Sequence, residues 1–342
     1  MEETLYILGN GFDLHHGVAS KYSDFKSFLT RHDRNLLYDL ENLYDCEDIW
    51  GDFEKNLLTI SRETFIGYIT PCLPTNEVED DDFIYAELFL SQDHAGDLVD
   101  RLTENLRKRF QQWIRTLNMP AGYEKRMIKI DDCALYLSFN YTDFIEKAYK
   151  IPSIQVCYLH GKKSDKIGSI VLGHGEIPEN SLDNWLKMNN KKQRFQPRLK
   201  NKGNRYYNNS NPTYLAYFLE DESSGNWGSE ARYHAINFAV ERIEDYYEQS
   251  FKNFHKVLKA HERFISSLSK VKRIVVMGHS LAKVDLPYFN KILQVNENSH
   301  KIEWEISFHS EANLNGITEF ARELNINPNQ ITKFSLEERL LS

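Results

Sequence analysis

Short, unbroken apolar runs ending in glycine or a polar residue alternate along this chain with longer stretches whose apolar positions recur every three or four residues. The first run is Leu5-Tyr6-Ile7-Leu8, followed by Gly9-Asn10-Gly11. Others are Ala134-Leu135-Tyr136-Leu137-Ser138-Phe139, Ile154-Gln155-Val156-Cys157-Tyr158-Leu159, Ser169-Ile170-Val171-Leu172 and Arg273-Ile274-Val275-Val276-Met277, and residues 302–308 alternate. Continuous apolar runs of this length predict parallel strands covered on both faces, because a half-solvated sheet would alternate throughout. Helix-length segments separate the runs, so the expected architecture is a mostly parallel α/β sheet.

The helical signal is strongest between the first two strands. Ser20 reads as an N-cap before a helix with Tyr22, Phe25, Phe28 and Leu29 on one face. Leu36, Leu40 and Leu43 mark a second helix, and Trp50, Phe53, Leu57 and Ile60 a third. Residues 83–117 read as one long helix or two, with Leu98, Leu102, Leu106, Phe110 and Trp113 at helical spacing. A comparable stretch covers 230–268, while residues 177–227 are polar, rich in Asn, and read as a loop-rich cover. Together these predict a single α/β domain over 1–342, with helical insertions at about 20–119 and 177–268.

Charge and cysteine content narrow the function classes. A formal net charge of -8 argues against a protein that coats nucleic acid. The basic stretch at 187–205, with Lys191, Lys192, Arg194, Arg198, Lys200 and Lys202, reads as a solvated loop or a local grip. No apolar run is long enough to span a bilayer, and the chain opens on a core strand rather than a charged leader, so no membrane partner and a cytoplasmic location are expected. Cys46, Cys72, Cys133 and Cys157 form no C-x-x-C pair, and Cys133 and Cys157 read as small core residues. The acidic residues 76–82 lack the glycine and terminal glutamate of a calcium loop.

Polar groups fall repeatedly at the carboxyl ends of the apolar runs, where open parallel sheets bind ligands. They are Gly9-Asn10-Gly11-Phe12-Asp13, Asn140-Tyr141-Thr142-Asp143, His160-Gly161, Gly173-His174-Gly175, and Gly278-His279-Ser280 with Asp285 beyond it. The first turn has two glycines of a dinucleotide fingerprint but Leu14 at the third position. It suits either a phosphate or a plain strand-to-loop turn.

Those motifs, in that order and together with Tyr22-Ser23-Asp24-Phe25, resemble the AbiH family of phage abortive-infection proteins. The resemblance covers the sheet-forming segments and little of the helical insertions. The family in turn is similar to sirtuin-like NAD-consuming domains of bacterial antiphage systems. This implies a Rossmann-like, sirtuin-like sheet in which the turn Gly9-Asn10-Gly11-Phe12 holds the pyrophosphate, Asn140 and His160 serve the reaction, and Gly278 and Ser280 contact the cofactor. Deacetylating sirtuins carry a four-cysteine zinc module that this chain lacks. The implied activity is therefore hydrolysis of NAD, consumed as a substrate with no metal, in a triggered effector. Its activator would be phage-derived or a companion protein, and self-assembly into a homo-oligomer is open.

The residue types suit that chemistry. Cleaving the nicotinamide N-glycosidic bond calls for oriented water and held phosphates. His160, with an ordinary pKa near neutrality, could act as general base, and Asn140 could hold water or a ribose hydroxyl without adding charge. His160 could instead be a strand-end histidine bonded to a carbonyl, and Asn140 a helix N-cap. Asp13 and Asp285 could accept from ribose hydroxyls or cap helices, and His174 could approach a ligand or sit in an exposed turn. Two other classes remain open. One is a metal-dependent nuclease or phosphohydrolase with His160, His174 and His279 as ligands, and the other is a nucleotide-sensing module without turnover.

Overall fold

Five of the apolar segments and one strand beyond them assemble into one parallel sheet. They are β1 (Thr4–Leu8), β2 (Leu135–Ser138), β3 (Val156–Tyr158), β6 (Arg273–Met277), β7 (Glu303–Ser307) and β8 (Ile331–Phe334), in the spatial order β3-β2-β1-β6-β7-β8. The computed structural model describes residues 3–76, 78–175, 198–200, 204–206 and 230–341. Two further strands, β4 (Arg198–Lys200) and β5 (Asn204–Tyr206), pair antiparallel outside the sheet. Counting only the sheet strands, the order is 3-2-1-4-5-6, that of doubly wound dinucleotide-binding folds, and every pairing within it is parallel. The fold is α/β and Rossmann-like, as the strand pattern predicts.

The register explains why the strands read as unbroken apolar runs. β1 lies centrally, with Leu5 opposite both Leu135 and Ile274, and Ile7 opposite Leu137 and Val276. These side chains join Trp304, Phe289 and Phe320 in one buried core. The alternate positions are buried too: Tyr6 stacks on Tyr136 at 5.1 Å, and both hydroxyls bond the main chain of Asp131. A strand covered on both faces has no polar alternation to show.

The chain forms two compact units. The first gathers Met1–Arg31, Arg107–Gly175 and Lys252–Ser342 and contains the sheet. Within it Phe25 packs edge-on against Phe110 at 5.1 Å, and Phe289 against Phe320 at 4.9 Å. The second gathers His32–Leu106 and Glu176–Phe251. There the helix Glu230–Gln249 packs along Glu87–Asp100, with the Ser91 hydroxyl donating to the Ala235 carbonyl at 2.8 Å. Tyr246 reaches the Tyr44 hydroxyl at 3.0 Å, and Arg101 reaches Asp39 at 2.8 Å.

Several expectations are corrected. Residues 169–172 form no strand: Val171 bonds the His160 carbonyl at 2.9 Å and accepts from the Tyr141 hydroxyl at 2.8 Å, so its main chain is satisfied outside the sheet. Ser20 caps no helix, because its hydroxyl is spent on Asn10, while the helix starts at Tyr22 with Asp24 accepting from the Lys21 N–H. The stretch 230–268 breaks into Glu230–Gln249, Phe254–Ala260 and Glu262–Ser267, the second capped by Asn253. A five-residue π-turn, Arg101–Asn105, interrupts the regular hydrogen bonding of the 83–117 stretch. Cys157 is buried as expected, but Cys133 is exposed in the turn ahead of β2. The expected cover at 177–227 and the basic stretch 187–205 lie outside the described residues apart from β4 and β5.

Candidate functional site

Strand order reverses between β1 and β6, the place at whose carboxyl ends open α/β sheets bind ligands. The loops after β1 and β6 meet there. The Gly9 N–H donates to the Met277 carbonyl at 3.0 Å and the Gly11 N–H to the Gly278 carbonyl at 2.7 Å. A Cβ on Gly9 would come within 2.5 Å of the His279 Cα, and one on Gly11 within 2.8 Å of the Gly278 Cα. The glycines therefore let two loops lock together. The Phe12 N–H is returned to the Gly9 carbonyl at 2.9 Å, and the Phe12 ring is buried against His16, Phe144 and Tyr149. Asn10 is exposed and holds Ser20, donating to its carbonyl at 2.9 Å and accepting its hydroxyl at 2.6 Å.

Asp13 follows on the same short helix, Asn10–His15, and lies 2% exposed. Its Oδ1 accepts from Asn140 Nδ2 at 3.1 Å and its Oδ2 from the Thr142 hydroxyl at 2.5 Å, so two residues after β2 converge on one carboxylate. Asn140 Nδ2 also donates to the Gly9 carbonyl at 3.0 Å. Burial pushes the Asp13 carboxyl up to about 7, against the opposing pull of these hydrogen bonds and of Lys163. Neither residue caps a helix: the next one, Phe144–Tyr149, starts after Asp143.

His160 lies two residues past β3 and is 2% exposed, with its ring 5.5 Å from Phe139 and 5.6 Å from Tyr288. Its Nε2 has no hydrogen-bond partner among the described residues. Burial holds its pKa well below the ordinary histidine value, and Lys252, His279 and His261 push the same way. The imidazole is therefore neutral across the physiological range, which suits an acceptor or weak base rather than the near-neutral base expected from the sequence.

After β6, His279 is placed by its neighbour. Leu281 takes up φ +57 and donates its N–H to His279 Nδ1 at 2.9 Å. With Nδ1 accepting, the ring proton sits on Nε2, which faces Asp285 Oδ2 at 3.4 Å. Left-handed backbone at a leucine costs about 1–3 kcal/mol and concentrates at functional sites. Asp285 occupies the N-cap position of Leu286–Val295 but makes no side-chain cap bond there, and Ser280 is exposed. His279 and His160 both pack edge-on against the Phe139 ring, at 4.4 and 5.5 Å.

His174 is buried, not in an exposed turn, and its carbonyl accepts from the Lys252 N–H at 2.7 Å. Among the described residues the metal-ligating side chains that converge within 4.8 Å are Asp131, Asp132 and Cys133, all exposed and ahead of β2 rather than at its carboxyl end. The three strand-end histidines do not form such a set.

The structure thus joins Gly9, Asp13, Asn140 and Thr142 in one hydrogen-bonded group, ties Gly11 to Gly278, and sets His279 against Asp285. Thr142 stands in the sequence within the strand-end segment Asn140-Tyr141-Thr142-Asp143, but its bond to Asp13, the orienting role of Leu281 and the burial of Lys252 carried no signal there. His279 was visible there only as a metal ligand. The model of the family described as bacteriophage abortive infection AbiH matches residues 5–308. No curated protein and no solved structure matches the chain.

Proposed function

This chain belongs to the AbiH family, which implies a part in bacteriophage abortive infection, and we propose that it fills that part by hydrolysing NAD to nicotinamide and ADP-ribose. The observation that carries the reading is His160. A neutral, buried imidazole whose Nε2 has no partner among the described residues lies at the carboxyl end of the strand that pairs with the strand before Asn140, in a sheet of dinucleotide-binding order. A buried polar atom without a partner costs free energy, and a ligand hydroxyl or water would satisfy it.

Asp13 is pushed up and His160 down by their surroundings, and such divergence between neighbouring titratable groups is a feature of acid–base sites. In the proposed step the bond between the ribose C1′ and the nicotinamide nitrogen breaks and its electron pair leaves with nicotinamide. Water forms the new C1′–O bond, and the released proton passes to His160 Nε2 and on to solvent. Asn140 orients the water or a ribose hydroxyl. The pyrophosphate would lie over the loops at Gly9 and Gly278, with His174, Ser280 and Asp285 as further contacts.

The test is nicotinamide release by purified protein, alone and with lysate from phage-infected cells. Release that disappears in His160→Ala and Asn140→Ala, with the melting temperature retained, supports the reading. Tight NAD binding without turnover under either condition would make the protein a sensor instead.

A further inference from the structure

Asn140 carries two N–H donors and one carbonyl acceptor, and both donors are committed inside the protein. One goes to the Gly9 carbonyl at 3.0 Å and the other to Asp13 Oδ1 at 3.1 Å. The Gly9 carbonyl is an acceptor only, and so is the ionised Asp13, so the amide cannot turn over without setting its oxygen against the Gly9 carbonyl. Asp13 is itself held by the Thr142 hydroxyl at 2.5 Å and by its own helix, whose carbonyl at Asp13 accepts from Val18 at 3.0 Å.

We infer that Asp13 is a positioning residue: with the Gly9 carbonyl it consumes both donors of Asn140, so that Asn140 meets the substrate only as a hydrogen-bond acceptor, through Oδ1. This rests on the NAD-hydrolysis reading for its consequence, though not for its geometry. The group facing Asn140 must then be a donor, a water or a ribose hydroxyl, and not a phosphate oxygen. The ribose hydroxyls and the water attacking the glycosidic bond supply such donors, whereas a phosphodiester presents acceptors.

The carboxylate does more than hold the amide still. An ionised Asp13 polarises the Asn140 N–H and so enriches Oδ1 in electron density, making it a stronger acceptor than a protonated Asp13 would. The Thr142 hydroxyl can donate to the ionised form and accept from the protonated one, so the contact survives both states. The charged and titratable groups acting on Asp13 are Lys163 and Asp143, which pair with each other at 3.2 Å, and Tyr158 at the end of β3. Burial keeps Tyr158 protonated well past the ordinary tyrosine range, and His160 titrates far below neutrality. Asp13 is thus the member of the group that changes charge near pH 7.

Two measurements on the full chain test this. In protein labelled with 15N at asparagine, the side-chain amide pair that disappears in Asn140→Ser should shift with pH around a midpoint near 7 and stop shifting in Asp13→Asn. In nicotinamide release, the kcat of the parent should rise through the same midpoint. Asp13→Asn should show a flat profile about ten-fold lower at high pH, with KM within about three-fold of the parent. An Asn140 amide that does not titrate in the parent overturns the inference even if Asp13→Asn does not fold. So does an unchanged kcat profile in a folded variant. A titrating amide in a protein that never consumes NAD leaves Asp13 as the positioning residue and removes the NAD reading instead.

Discussion

Gly11 and Gly278 close on each other. The Gly11 N–H donates to the Gly278 carbonyl at 2.7 Å, and a Cβ on Gly278, at φ +62, would collide with the Phe12 nitrogen. The turn that reads in the sequence as either a phosphate cradle or a plain strand-to-loop turn is thus first a lock between the loops after β1 and β6. Gly278→Ala adds both strain and a backbone clash, and is expected to cost more than about 3 kcal/mol. Gly11→Ala should cost about 1–3 kcal/mol, read from denaturant midpoints. If NAD raises the melting temperature of Gly11→Ala as much as that of the parent, the turn serves only the lock.

Asp13 makes stability fall on the alkaline side. Its folded value of about 7 lies above the ordinary 3.8, so its contribution is complete below pH 3.8 and is lost as pH rises through 7. Relative to the parent, Asp13→Asn is expected to gain up to about 3 kcal/mol between pH 5 and pH 8. Equal pH dependence of unfolding in the two proteins would show that the carboxyl is not held protonated.

His16 acts on the acid side. Its Nδ1 bonds the Phe12 carbonyl at 2.7 Å and its Nε2 the Tyr149 hydroxyl at 2.7 Å, whose oxygen accepts from the Ile128 N–H at 2.9 Å. Burial lowers its pKa from 6.5 to about 4, so its contribution is present above pH 6.5 and lost as pH falls towards 4. The loss amounts to at most about 3 kcal/mol. His16→Gln should flatten the acid limb of a stability-against-pH curve, and an unchanged limb would assign acid unfolding to other groups.

The contact between Leu281 and His279 fixes a tautomer. The His279 ring is expected to carry its proton on Nε2 and none on Nδ1, which 15N shifts of labelled histidine distinguish directly. Asp285→Asn should move the Nε2 resonance while leaving Nδ1 in place. A ring protonated on Nδ1 would mean that the Leu281 N–H bond does not form in solution.

Metal content separates the proposed hydrolysis from a metal-dependent nuclease. Elemental analysis of purified protein is expected to give less than about one-tenth equivalent of zinc, manganese or iron, because the strand-end histidines do not converge as ligands among the described residues. Stoichiometric metal that is lost in His174→Ala would favour the nuclease.

Five of the six sheet strands, and the edge at which the candidate site residues fall, are legible in the residue pattern alone. After the first residue of each, the runs of β1 and β6 are apolar at every position because both faces are covered, and their period-free pattern survives without tertiary information. Asn140, His160 and Gly278 were legible for the same reason, since each directly follows such a run. β8 escaped notice, because an edge strand with two exposed positions, Thr332 and Lys333, buries too little to stand out. Residues 169–172 misled in the opposite way: apolar residues pack equally well beside a sheet as within one, and composition does not reveal which carbonyl a backbone N–H will find.

Only the tertiary structure decided how the strand-end groups combine. Asp13 and Asn140 are 127 residues apart, and His279 and Leu281 depend on a backbone angle that leucine seldom adopts. The ionisation of Asp13 and His160 follows from desolvation, which depends on everything packed around a side chain and on nothing in its immediate sequence. A local pattern can place a polar residue at the end of a strand. For Asp13 and Asn140, the atoms each faces belong to residues more than a hundred positions away.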